Sequence, residues 1–312
     1  MPHPFLLGPF LLGRRFFLLL GVLMLMAASP VERLRVAAVI DGDTLELEDG
    51  RRLRLAGIEA AKPPASGGVD AEPGRRWSLA EAASAALTEL ALGRELTIHG
   101  EGRREAHTDR HGRLVAQLVR DDGLWLQGEL LARGHARVHT QPDTRALARE
   151  MLAVEAKARA AERGIWRTRV YAVRPAEPDA LLRVRDSFQI VEGRVLRVTK
   201  AGNEAYLDFG EDWRTDVTVH IARGPLGDVR KAGIDPLSYE GRTVRVRGWV
   251  GLRSGPMIEI THPEQIERVE DGPGPVARAP ALSQDVSRDA SRILPQDKAP
   301  APREDAGEED ME

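Results

Sequence analysis

The sequence predicts a mostly-β, α+β chain that carries two small five-stranded barrels in tandem, the first of them with helices. Three observations lead to this. From residue 32, short runs of alternating apolar residues are punctuated by Asp-Gly pairs, an alanine-rich helical stretch follows the third run, and a second group of strand-like runs begins near Ser187. A chain of 312 residues has room for two domains of ordinary size. Aromatic residues make up only 4% of it, so the cores must rest on Leu, Val, Ile and Ala.

The elements follow in order. Leu34, Val36 and Ala38 alternate in the first run, Leu45 and Leu47 in the second, and Leu53, Leu55 and Gly57 in the third. A period of two turns one side of a strand to a core and the other to water. Asp41-Gly42 and Asp49-Gly50 separate the runs, the second pair in a setting suited to a tight hairpin. A Pro/Gly-rich loop over 62–74 leads into the alanine-rich stretch 78–92, read as a helix ended by Gly93. Runs at 95–99 and 114–119 supply two more strands across a charged loop, and 124–132 and 144–162 read as helices. The last carries Leu147, Met151, Val154 and Ala158 at helical spacing and runs into Gly164-Ile165-Trp166, with Trp166 as a core anchor. Five strands followed by helices is an OB-like order, and residues 32–170 form this domain.

Residues 171–186 read as a linker. The runs 190–198, 205–209, 217–221, 244–250 and 258–260, with a helical or irregular segment between Leu226 and Leu237, again match an OB-type order in a second domain at 187–270. The two units share no detectable sequence repeat. Residues 271–312 are rich in Pro, Ala, Asp and Glu and poor in large apolar residues, and are expected to be disordered.

Several function classes are poorly supported. The net charge of -3 offers no global field for a polyanion, so any nucleic-acid contact must come from local arginine clusters. With no cysteine, disulfides, thiolate metal sites and cysteine nucleophiles are excluded. There is no His-Glu-x-x-His, Gly-x-Ser-x-Gly or phosphate-loop signature. At the N-terminus, Arg14-Arg15 precedes an apolar run over 16–28 closed by Ala27, Ala28 and Ser29, the layout of a secretory signal. The run is shorter than the roughly 20 residues that span a bilayer. Residues 1–29 are therefore expected to be a signal for secretion or entry into the periplasm, with an uncleaved membrane anchor facing outside the cytoplasm as the alternative.

Three stretches matter together: IDGDTLEL at 40–47, RLRLAGIEAAKPP at 52–64 and TDRHGRLVA at 108–116, followed by LLARGHARV at 130–138 and EAKARAAERGIW at 155–166. In that order and spacing they resemble the staphylococcal nuclease (thermonuclease) family, over residues 36–166. The resemblance implies a nuclease-like OB barrel and an endonuclease acting on DNA or RNA, with Ca²⁺ as cofactor and a 3′-phosphate product. It places a metal-ligating aspartate on Asp43, the second metal carboxylate on Glu59 and a metal-facing backbone carbonyl on Ala60. The phosphate-binding arginines fall on Arg54 and Arg113, with His111 and Thr44 as substrate-side contacts. The chemistry suits those residue types: a hard cation takes oxygen ligands, and paired guanidinium groups grip a phosphate and stabilise the charge that builds in its transition state.

The family's proposed general base, a glutamate, falls on Lys62. A lysine accepts no proton at neutral pH unless its pKa drops several units, and a general base contributes ~10²–10⁴-fold. Three readings stand open: Lys62 contacts the leaving phosphate, Asp70 or Glu72 substitutes as base, or Glu59 shifts role. His107, His135 and His139 read as solvated or structural, and Gln127 as scaffold. In the second domain Arg194, Arg197, Arg214, Arg245, Arg247 and Arg253, with Tyr206, Trp213 and Trp249, suggest a surface for single-stranded nucleic acid. No obligate protein partner is implied. The leading function is an exported phosphodiesterase with an altered base step. The alternatives are a catalytically impaired nucleic-acid-binding protein of the cell envelope and an envelope module for protein contacts.

Overall fold

The computed structural model describes residues 32–63, 73–99 and 106–269. The expected signal segment and acidic tail lie outside the described residues, as do Asp70 and Glu72. The first domain runs β1 (Arg33–Asp41), β2 (Thr44–Leu47), β3 (Arg52–Leu55), β4 (Ile58–Ala60), α1 (Pro73–Ala91), β5 (Glu95–Ile98), β6 (His107–Thr108), β7 (Leu114–Ala116), β8 (Leu118–Arg120), α2 (Leu126–Ala132), β9 (Ala136–Val138) and α3 (Ala148–Ala160). Its main sheet has the order β6-β7-β3-β2-β1-β5-β8. Since β7 and β8 are consecutive pieces interrupted only at Gln117, the path closes on itself as a barrel, with β3 and β7 parallel. The buried Gln117 satisfies this break: its side-chain nitrogen donates to the Ala56 and Ala146 carbonyls, and its oxygen accepts from the Trp125 indole.

The apolar alternation builds the barrel core. Leu34, Val36, Leu45, Leu47, Leu53 and Leu55 are all buried, with Leu87 and Leu90 of α1 packed over them. Full burial of such a side chain contributes roughly 1.5–3 kcal/mol. Ala38 breaks the expected pattern and is exposed, because the β1–β2 register shifts between Val36 and Ala38. A bulge of this kind inserts one residue and re-aims those that follow.

The second domain comprises β10 (Arg174–Pro175), α4 (Pro178–Leu182), β11 (Phe188–Arg194), β12 (Arg197–Ala201), β13 (Glu204–Asp208), β14 (Thr218–Ile221), α5 (Arg223–Lys231), β15 (Thr243–Arg253), β16 (Gly255–Ile260) and β17 (Ile266–Arg268). The path β10-β11-β15-β16-β14-β13-β12 closes in the same way, β11 and β12 being halves of one strand interrupted at Val195 and Leu196. Parallel pairing of β14 with β16 and the helix after β14 repeat the plan of the first barrel. Both domains thus have the OB strand order. Residues 171–186 are not a loose linker: β10 pairs with β11, Leu181 is buried, and Tyr171 and Val173 pack beside Trp166 and Ile190.

A polar seam joins the barrels. Arg247 on β15, only 2% exposed, reaches the fully buried Glu155 of α3, with Nη1 3.1 and 3.2 Å from its two oxygens. Glu155 also accepts from the Val138 amide at 2.6 Å and from Arg159 at 2.8 Å. His262 lies 2.7 Å from the Thr140 hydroxyl, and Arg145 grips both oxygens of Glu264. Arg247 therefore has a structural position and is lost to the proposed single-strand surface.

This seam sets a pH dependence. Burial, reinforced by neighbouring arginines, pushes His139 and His262 down to about 4. Unfolded histidine titrates near 6.5, so as pH falls the unfolded chain takes up protons first. The stabilisation is intact above pH 6.5 and is lost as pH falls toward 4. By pH 5 each histidine is expected to cost roughly 2 kcal/mol of stability. Denaturant titrations at pH 7 and pH 5 check this, and His262→Gln should flatten the pH slope.

Candidate active site

The site begins at the tight turn between β1 and β2. The Asp43 amide donates to Asp41 Oδ1 at 3.0 Å, which folds the turn back on itself. Gly42 is required there: a Cβ would stand 2.6 Å from that of Ala83 on α1 and 2.7 Å from that of Ala60 on β4. Those two elements press on the turn and drive the Asp43 carboxylate inward, where it is wholly buried.

Among the described residues that carboxylate accepts four hydrogen bonds. Oδ1 accepts from Arg54 Nη1 at 3.0 Å, from Lys62 Nζ at 2.7 Å and from the Thr44 hydroxyl at 3.1 Å. Oδ2 accepts from the Ala60 amide at 2.9 Å. Lys62 Nζ also lies 2.6 Å from Asp41 Oδ2, so one ammonium bridges both acids. Burial pushes the Asp43 carboxyl up against the pull of Arg54 and Lys62. The more open Asp41 is also raised by burial, but Lys62 outweighs this and holds it below the ordinary range.

The two arginines share a face of the barrel. In the parallel β3–β7 ladder Arg54 pairs with Val115, and Arg113 precedes Val115 by two residues, which returns it to the same side. Arg113 emerges from a turn closed by the Gly112 amide on the Asp109 carbonyl, with Gly112 at φ +74°. Asp109 accepts from the amides of His111 and Arg113 and from Arg113 Nε at 2.9 Å. Partial burial raises the Asp109 carboxyl, but these bonds together hold it below its usual range. His111 is exposed at the tip of the turn, where its ring accepts from Arg110.

Other expected site residues are placed differently. Glu59 does not join Asp43. On β4 it pairs in register with Arg137 of β9, whose Nε and Nη2 lie 2.8 and 2.7 Å from one Glu59 oxygen. Burial pushes Glu59 up, but Arg137 and the nearby His139 hold it below the ordinary carboxylate range. Strand alternation is the cause: Ile58 and Ala60 face inward, so Glu59 faces the other way. Ala60 presents its amide to Asp43. Thr44 is buried, with its hydroxyl donating to Asp43. Gln127 is scaffold, bonded to the Leu118 amide and the Ala116 carbonyl. Sequence reasoning missed Asp41 and Arg137. The Asp-x-Asp spacing was the available signal for Asp41, since two acids folded into one turn require a counter-charge.

Calcium is the ion the staphylococcal nuclease family generally uses, and the described donors do not fit it. Among the described residues no three of His, Asp and Glu converge to hold a metal ion. A Ca²⁺ ion takes six to eight oxygens, yet the Asp43 oxygens face N–H and O–H donors and Glu59 is turned to Arg137.

Comparison with known proteins gives the family of the first domain. The family model described as "Staphylococcal nuclease homologue" matches residues 52–168, which include Arg54, Glu59, Lys62 and Arg113. Two relatives from Escherichia coli, one of them from strain O157:H7, each called "Uncharacterized endonuclease", are 30% identical over 135 residues, 42% of this chain and 75% of the relative. The chain belongs to the staphylococcal nuclease homologue family, a family of nucleases.

Proposed function

We propose that this chain is an exported phosphodiesterase that cleaves DNA or RNA on the barrel face carrying Arg54 and Arg113. One observation carries the site: two half-buried guanidinium groups on one face, each oriented by its own carboxylate, Asp43 and Asp109. Such a pair can hold two non-bridging oxygens of one phosphate and oppose the charge that accumulates on them as water attacks in line. The water oxygen bonds to phosphorus as the phosphorus–ester bond breaks, and the water's proton must pass to an acceptor. Asp41, held by Lys62 with a lowered pKa, is a weak one. Turnover is therefore slow, short of the ~10²–10⁴-fold that a well-matched base contributes.

The test is cleavage of end-labelled single-stranded DNA and RNA by the full chain, beside an Arg54→Ala/Arg113→Ala double variant. Cleavage above that variant supports the reading, and end-group analysis should find 3′-phosphates. Salt-sensitive binding without cleavage would favour a second reading, a nucleic-acid-binding protein with the nuclease fold. The Lys62 contacts with Asp41 and Asp43 are what support that alternative.

The second barrel is proposed to guide single strands. Arg197, Tyr206, Trp213 and Arg253 line a groove of about 510 Å³, with Trp213 half exposed. Among the other arginines expected there, Arg245 is engaged by Glu192 and Glu267 and Arg247 is buried. Base stacking on an aromatic side chain contributes ~1–3 kcal/mol, so Trp213→Ala should weaken single-strand binding about 10-fold, measured by fluorescence anisotropy. Export is supported by Arg14-Arg15 and the apolar run after them. It predicts a chain shortened near Ser29 outside the cytoplasm, and a full-length cytoplasmic chain would remove it.

A further inference from the structure

We propose that the Lys62 ammonium is a built-in cation that occupies the acidic turn of this site in place of a divalent metal, so that the protein takes up phosphate without one. The last clause rests on the phosphodiesterase reading; the first does not.

The argument starts from charge. Asp41 and Asp43 are folded into one turn by the bond from the Asp43 amide to Asp41 Oδ1, and Asp43 has no contact with water. Two carboxylates in that position need compensation, because an unpaired buried charge is strongly destabilising. Arg54 and Lys62 supply it, giving two positive groups for two negative ones. Lys62 is the only one of the two that touches both acids, at 2.6 and 2.7 Å. It is also delivered locally, two residues after β4, whose Ala60 amide holds the other Asp43 oxygen.

A divalent ion at this turn would have to displace Lys62 from both carboxylates and leave that ammonium facing a doubly positive neighbour. Among the described residues the second carboxylate expected there, Glu59, is held by Arg137 on the opposite side of β4, so Asp41 and Asp43 alone face the place that Lys62 fills. An ammonium has three N–H donors, and two are used here. With its side chain 34% exposed, Lys62 can turn the third to a phosphate oxygen arriving beside Arg54. A lysine acts on phosphate as a point charge, which is the electrostatic part of what a bound cation supplies.

The experiment reads metal binding through stability, apart from catalysis. The full chain, Lys62→Ala and Lys62→Gln are unfolded thermally in chelator and in rising CaCl₂, with ionic strength matched by NaCl. The native chain is expected to show no saturable change with Ca²⁺. Both variants should melt lower in chelator and recover by about 5 °C or more as Ca²⁺ fills the vacated place. Saturable stabilisation of the native chain equal to that of the variants would overturn the proposal, as would variants indifferent to Ca²⁺. If neither variant folds, calorimetric titration of the native chain with Ca²⁺ decides: saturable binding overturns the proposal and its absence supports it. Oligonucleotide cleavage by the native chain should be equal with and without chelator. No cleavage under any condition would instead remove the phosphodiesterase reading and leave the stability result standing.

Discussion

Arg54→Ala is expected to lower the rate of single-stranded DNA cleavage by about 10²–10³-fold, the loss found when one preorganised donor to a developing oxyanion is removed. The effect should fall mainly on kcat, because the charge that Arg54 opposes grows between the bound phosphodiester and the transition state. The fold should survive the change. Asp43 would keep its bonds from Lys62, Thr44 and the Ala60 amide, so its carboxylate is not left bare. Arg54→Lys separates charge from shape: it keeps the positive group but loses the planar fork that also reaches the Ile58 carbonyl at 3.4 Å. Recovery of less than a tenth of the native rate by that variant would assign the effect to two-pronged contact. Unchanged cleavage by Arg54→Ala would place the chemistry elsewhere on the chain and retire the site described here.

How much of this could be read from the sequence depends on the range of the interaction. Period-two alternation is local, so the residues of the first barrel's core, from Leu34 to Leu55, were legible, and Ala38 was misread only because a bulge shifted the register. Arg54 and Arg113 stood out as candidates because RLRLAGIE and TDRHGR match the family's pattern, while their placement on one face came only with the parallel β3–β7 pairing. That Glu59 turns from Asp43 to Arg137 was not, since the pairing of β4 with β9 joins residues 78 apart in sequence. Lys62 stood out as a departure from the family, but its meaning depends on a turn that brings Asp41 and Asp43 under one ammonium. Arg247 in the second domain was misread for the same reason. Arg247 looks like any strand arginine until α3 of the first domain covers it with Glu155.

That covered pair carries the largest stability effect expected here. Arg247→Met would leave the Glu155 carboxylate buried at 0% exposure, with the Val138 amide and Arg159 as its remaining partners. Removing one member of a buried ion pair costs about 3–5 kcal/mol, and the Arg159 contact that Glu155 keeps puts this case at the low end of that range. For a folded unit of this size, such a loss lowers Tm by roughly 10 °C. Glu155→Gln should be costly too, because it leaves the buried Arg247 guanidinium with Glu267 at 3.4 Å as its remaining acid among the described residues, although an amide oxygen can still accept from Val138. The double variant Arg247→Met/Glu155→Gln should therefore be more stable than Arg247→Met alone, and a double-mutant cycle in denaturant would give the coupling. Should Arg247→Met cost under about 1 kcal/mol, the seam is hydrated and the barrels dock weakly. A full effect with restoration in the double variant would instead mean that the pair fixes how the second barrel sits on the first. A hydrophobic replacement could match the pair's contribution to stability, but it would not define the relative orientation of two barrels through a forked, directional contact. Under the proposed function, in which a single strand lies along Trp213 and Arg253 on its way to Arg54, that orientation sets the path, and Arg247→Met is expected to reduce cleavage of long single strands more than of short oligonucleotides.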